Sequence, residues 1–440
     1  MPITMQKEVK KSWALFLGIG TMMIAHGLQM QVMGIRSVTE NFNVVTTGIF
    51  MSGYYMGYFV GSHTTPKLVQ KVGHIRVFAA FASLASLSAL LAAVYVNPVM
   101  WTFSRFVTGI SLVSCYVVTE SWLNDRATNK NRGQLLSTYM IILYSGLAIG
   151  MLLLNLSDPR SYEPFILVSV LLSLALVPIL LVKRAAPKFK KIETISILEL
   201  YKISPLGAVS SFCTGIIHAA FFSLISVYAT LANFKILETS ILLFIATISG
   251  VITQYPIGFL SDNYDRRRVI VATTTGSALF ALLALTIAGS SLAKMYLAID
   301  LSFTKIFFFI SVGLYASLCL PLFSLNLAHT NDFVPKKQFV AAGGGLQLIF
   351  GIGAISGPIL CSIFMQSFGT NGFFAFLIIV HTLIAIFGIY RMKVRETVEN
   401  PDSTFTPMPA NITPAGLTLD PDAPVEVIEN NETVDLEKRN

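Results

Sequence analysis

The stretch Gly258 to Arg268, GFLSDNYDRRR, decides how this chain is built. A hydrophobic run stops there against Asp262, Asp265, Arg266, Arg267 and Arg268, and another begins directly after it. A charged turn between two membrane-length apolar runs must sit in water, and consecutive arginines hold such a turn on the cytoplasmic side. Composition points the same way. Of 440 residues 54% are hydrophobic and 12% charged, with a mean hydropathy of +0.68. A soluble domain carries about 25% charge, and one packed core rarely grows past roughly 300 residues. The apolar surplus must face lipid, which makes this an all-α, polytopic membrane protein.

Working outward, a basic lead, MPITMQKEVKKSW, opens a run from Trp13 to Ile35 that is long enough to span and has no small-residue cleavage site. Further spans are predicted at Thr46–Pro66, Arg76–Val96, Val99–Leu123, Gln134–Leu156 and Tyr162–Val182. After the basic stretch KRAAPKFKK they resume at Pro205–Leu231, Glu238–Ser261, Val269–Gly289, Phe303–Ala328, Phe339–Phe368 and Gly372–Tyr390, twelve in all. We therefore expect a six-helix bundle over 1–182, a cytoplasmic basic linker over 183–204, a second six-helix bundle over 205–391 and a disordered acidic tail over 392–440. Lys and Arg fall on alternate loops, on the side of both termini, so both termini are expected in the cytoplasm.

The net charge of +8 comes from those loop clusters, and nucleic-acid binding is a poor reading of it. Cys115, Cys213, Cys319 and Cys361 lie in apolar segments without metal or disulfide spacing. Phosphate-loop, zinc-protease and nucleophile-elbow patterns are absent, so neither an enzyme nor an ATP-driven pump is expected, and no cofactor.

The halves echo each other: Gly61, in GSHTTPKLVQKVGHIRVF, stands where Gly258 stands, and Asn124-Asp125 answers Asn331-Asp332. On this plan the chain resembles the major facilitator superfamily over about residues 10 to 392. The segments VGHIRVFAAFA, VTESWLNDRA and LAHTNDF, followed by GIGAISGP, resemble its YcaD-like branch of bacterial transporters. The resemblance implies an inner-membrane secondary transporter working by alternating access on a small organic solute, with protons as the candidate coupling ion. We expect a monomer in the lipid bilayer. A different class stays open: a transporter-like sensor or assembly protein that binds a ligand or partner without moving it.

The resemblance also suggests roles for single residues. Gly258 would let two helices approach, and Asp262, flanked by Arg266 and Arg267, would latch onto the N-terminus of the fifth helix near Arg132 in the outward-open state. The competing reading is a solvated turn that fixes topology. Four residues after Gly61 stands Thr65 in place of the acid, so Arg76 would attract Glu120 or Asp332 instead, or serve topology alone. Arg105, with Gly109, matches the superfamily's Arg-x-x-x-Gly pattern, and Tyr116 returns to its face; Arg105 lines a pathway or snorkels. His26 and Gln29 in the first helix and His218 in the seventh fall near mid-membrane, where they would meet a solute or proton, or join helices. Gly357 and Pro358 in the eleventh helix permit close packing and bending.

Overall fold

A computed structural model describes residues 12–128, 130–181, 195–289, 301–396, 398 and 403–423. Among the described residues twelve long helices carry the chain back and forth: α1 Trp13–Thr39, α2 Val44–Val72, α3 His74–Val94, α4 Pro98–Arg126, α5 Arg132–Leu152 and α6 Glu163–Leu181 in the first half. The second half has α7 Pro205–Leu231, α8 Ile236–Asn263, α9 Arg266–Gly289, α10 Leu301–Cys319 continued by Leu322–Asn331, α11 Phe339–Phe368 and α12 Gly372–Val394. Among the described residues eleven of these are apolar enough over 18 residues to cross a membrane by composition alone. The twelfth, α2, is 29 residues long, and tyrosines, hydroxyls and two lysines lower its hydropathy. Most of the predicted linker lies outside the described residues; its end forms a short helix, Ile197–Ile203, capped by the Ser196 side chain.

Local chemistry starts these helices where they start. Asn43 accepts from the Val45 N–H at α2, and Asn97, followed by Pro98, accepts from Met100 N–H at α4. Pro321 interrupts α10. It has no N–H to offer the Ser317 carbonyl, and the Thr253 hydroxyl of α8 takes that acceptor at 2.5 Å.

Burial sorts the helices into layers. The apolar window of α4 is 83% buried, that of α7 78% and that of α1 72%, against 33% for α9 and 44% for α3 and α6. The peripheral helices present Leu84, Leu87, Leu174, Val177, Leu282 and Leu283 outward, as lipid requires.

The repeat is sharper than the sequence reading made it, and its register differs. Asn41 and Asn233 both adopt left-handed backbone, φ 57° and 60°. Each is followed by Phe, and each pair returns its N–H groups to the preceding helix: Phe42 to Ser37, Phe234 to Ala229. From these anchors the two halves run without a gap, so that α2 and α8, and α3 and α9, begin at equivalent positions. Gly258 then corresponds to Pro66, Gly61 to Thr253, and Asp262 to Gln70. The expected match of Gly61 with Gly258 is therefore incorrect. Helix α2 continues through Pro66 to Val72 and turns only at Gly73, φ 90°, which puts Thr65 inside a helix, hydrogen-bonded to Ser114 at 2.7 Å. The first half still lacks the acid, with Gln70 in its place.

A second correction concerns the tail. Residues 403–423 are packed between the bundles, with Met408, Ile412, Thr413 and Leu419 no more than 1% exposed. The expectation of a structureless tail does not hold for this segment.

Candidate functional site

The two bundles meet at the end away from the basic loops. Gly34 of α1 faces Ser226 of α7, Gly48 of α2 faces Pro358 and Ser362 of α11, and Asn155 donates to Ser240 at 3.1 Å. Toward the basic end they part around a cavity of about 590 Å³. Met23, His26 and Met30 of α1, Tyr54, Tyr55 and Tyr58 of α2, His218 of α7 and Gln347 of α11 line it, and it continues along α2 past His63, Lys67 and Gln70.

The tyrosines reach this wall because of what stands behind them. Gly53, Gly57 and Gly61 recur every four residues on α2, and a Cβ at Gly57 would sit 2.0 Å from the Phe106 carbonyl oxygen of α4. Gly109 of α4 repays the fit, with its Cβ position 2.0 Å from the Tyr54 carbonyl oxygen. Small residues at this spacing bring two helices to backbone contact. Tyr54 and Tyr58, four residues apart, are thereby turned to the cavity. Sequence reasoning missed this set, although the three glycines at a helical interval were a legible signal.

His26 stacks on Tyr54 with ring centroids 5.1 Å apart, and Arg105 holds its guanidinium carbon 4.7 Å from the same ring. Arg105 is fully buried behind the wall, and none of its three guanidinium nitrogens has a hydrogen-bond partner among the described residues. His218 faces the cavity from the other bundle, with Nε2 3.1 Å from the Cys319 carbonyl beside the break in α10. Two predicted pathway residues lie elsewhere. Gln29 reaches Thr108 at 3.4 Å, and the Tyr116 hydroxyl donates to Met23 Sδ at 2.9 Å, so both tie α1 to α4.

At the basic end the predicted gating residues engage other partners. Asp262 pairs with Arg266 at 2.9 Å and accepts from the Phe405 N–H at 2.8 Å. The α5 N-terminus expected to meet Asp262 faces the tail, since Gly133 lies against Pro421. Gly258 makes room for the Phe405 ring, not for a second helix. Arg76 is exposed, and neither predicted acid pairs with it: Glu120 accepts from Tyr139 and Thr413, while Asp332 pairs with Arg266. Burial pushes the Asp332 carboxyl up to about 6, against the opposing pull of Arg266. Arg267 pairs with Asp265 at 2.7 Å, at the head of α9. Gly357 packs under the Ile216 carbonyl of α7, and Pro358 lies within α11 beside Gly48.

Comparison with known proteins follows this architecture. The Major Facilitator Superfamily pattern matches residues 15–327 and 238–421. The chain belongs to the Major Facilitator Superfamily. Two superfamily relatives, both described as uncharacterized MFS-type transporter YcaD, come from Escherichia fergusonii and Escherichia coli O6:K15:H31. They are 24% identical over 74% of this chain and 81% of theirs, and 25% identical over 76% and 83%. Among solved superfamily-like structures, the nucleoside transporter NupG superposes with a TM-score of 0.71 at 14% identity, covering 87% of this chain and 99% of that one. A bacterial homologue of the human lysosomal transporter Spinster, in an inward-facing and occupied conformation, gives 0.66 at 11%, covering 88% and 97%. These likenesses support the fold and a multi-pass membrane transporter of the YcaD type.

Proposed function

We propose that the protein is a secondary active transporter of the bacterial inner membrane, monomeric, with both termini cytoplasmic, that moves a small polar or anionic organic solute by alternating access. The observation that carries this reading is the 590 Å³ cavity between the bundles, shut at one end and lined near its centre by His26, Tyr54 and His218. Such a cavity suits a small organic molecule. Its polar groups are few and convergent, and the unpaired Arg105 behind Tyr54 biases the site toward negative charge. Rocking of one bundle against the other around a fixed midplane site would exchange the open ends. In this orientation the basic end is cytoplasmic, and the conformation is inward-facing. Proton coupling is part of the proposal, with His26 and His218 as the histidines that face the cavity from the two bundles.

The test is a stabilisation screen of the purified protein against organic acids and polar solutes, followed by flux into proteoliposomes with and without a proton gradient. Stabilisation by a solute that is also transported supports the reading. A sensor or assembly role is the competing reading, and it draws on the segment 403–423 that occupies the mouth. A protein that binds solute or a partner yet gives no flux, with the tail or without it, would favour that role.

A further inference from the structure

Segment 403–423 runs inward from the basic end, turns near Asn411 and runs back out. Its two limbs are tied together, Thr404 N–H to Asp422 at 2.6 Å and Thr406 to Asp420 at 3.1 Å. Along its course the bundles supply partners for its backbone. Asp262 accepts from Phe405 N–H, Ser324 accepts from Met408 N–H at 2.9 Å, and Gln347 donates to the Ala410 carbonyl at 3.0 Å. Tyr58 donates to the Asn411 carbonyl. Glu120, itself fully buried, accepts from the Thr413 N–H at 3.0 Å and from the Thr413 hydroxyl. On the return limb Arg132 donates to the carbonyls of Pro421 and Ala423.

Three features mark this as recognition of one sequence. Buried backbone groups demand partners, and here they find them on both bundles: Tyr58, Glu120 and Arg132 on one, Asp262, Ser324 and Gln347 on the other. Glycines stand where the segment's side chains need space, Gly258 for Phe405, Gly133 for Pro421 and Gly343 for Leu417. Four prolines, Pro407, Pro409, Pro414 and Pro421, stiffen the segment, which reduces the entropy lost on docking.

We propose that the mouth of the cavity is a peptide-binding site whose ligand is this chain's own residues 403–423, and that the docked segment is a wedge holding the two bundles apart at their basic ends. Exchange of the open ends then requires its release. The wedge role rests on the alternating-access reading above; the docking does not. Asn411 to Ala415 also form part of the cavity wall, so release of the segment enlarges the site as well as freeing the bundles.

The test uses spin labels on Leu156 and Phe368, exposed residues at the far end of the two bundles, in a background without native cysteines. The full chain is expected to give one narrow distance. A chain ending at Glu396 should add a longer distance, with the far-end-open population raised at least tenfold. Adding a peptide of residues 403–423 in trans should return the narrow distance, and a scrambled peptide should not. Full-length Thr413→Asp leaves the bundles untouched and sets a carboxylate against Glu120; it should reproduce the truncation. Identical distances in all these proteins, each folded by thermal melting, would overturn the proposal. Flux in the same vesicles separates the two readings. A shift in distances without flux retains the docking site and removes the transporter reading, whereas flux with unchanged distances removes the wedge and retains the transporter.

Discussion

Replacing Arg105 by methionine should leave the protein at least as stable as it is now and abolish its transport. The guanidinium is 0% exposed, its nitrogens have no hydrogen-bond partners among the described residues, and it lies over the Tyr54 ring at 4.7 Å. A cation at membrane depth costs at least ~2.5 to 3.5 kcal/mol, and a desolvated contact with an aromatic face returns about 1 to 2 kcal/mol. The net is unfavourable by roughly 0.5 to 2.5 kcal/mol on those figures. Methionine fills a similar volume and adapts to irregular gaps, so the packing loss should stay under ~1.5 kcal/mol. Unfolding of purified Arg105→Met in detergent should therefore show an unchanged or raised midpoint, while flux and solute-induced stabilisation disappear. A residue kept at an energetic cost is kept for its ligand. A stability lowered by more than about 1 kcal/mol, with flux intact, would refute this reasoning and make Arg105 a structural residue.

Other expectations follow from the same geometry. Gly57→Ala places a methyl group 2.0 Å from the Phe106 carbonyl and should destabilise the first bundle by about 1 to 3 kcal/mol, read as a lowered melting temperature with Gly61→Ala adding to it. Gly258→Leu fills the seat of Phe405 and should weaken docking of the tail by about tenfold, near 1.4 kcal/mol, measured by competition with the peptide of residues 403–423. Burial pushes the Asp420 carboxyl up to about 6, opposed by the Asp422 N–H that it accepts, by Thr406 and by Arg132, while the Asp422 charge adds to the rise. Because the docked value lies above the ordinary carboxylate value, docking is strongest below pH ~4 and weakens as pH rises through about 6. Peptide affinity should fall between about pH 4 and 6, and Asp420→Asn should flatten that slope without abolishing binding.

The membrane class, the twelve spans and the superfamily were legible because lipid forces a 20-residue apolar period on every crossing, and basic turns punctuate it. Register was less legible. Gly61 and Gly258 share a residue type, whereas the true anchors, Asn41-Phe42 and Asn233-Phe234, are fixed by left-handed backbone that composition does not reveal. His26, His218 and Arg105 could be placed at depth by counting residues, but Gln29 and Tyr116 could not be assigned between cavity and neighbour. Several residues on a fully buried helix such as α4 satisfy the same periodicity. The tail failed for a different reason. Its low apolar content means only that it cannot build a core alone; Met408, Ile412 and Leu419 bury into a groove made by the rest of the chain, 0 to 1% exposed.

The site at the mouth and its ligand are also separated in time. The last of the long helices, α12, ends at Val394, while the docked segment extends to Ala423. At a synthesis rate of ~5 to 20 residues per second, the ribosome finishes both bundles a few seconds before it finishes the peptide that fits between them. Each new molecule thus begins life with an unliganded mouth. Because the contact surface for the segment exists only once α4, α8 and α11 have come together, its docking is the final step of assembly, and a half-built bundle cannot be held by it.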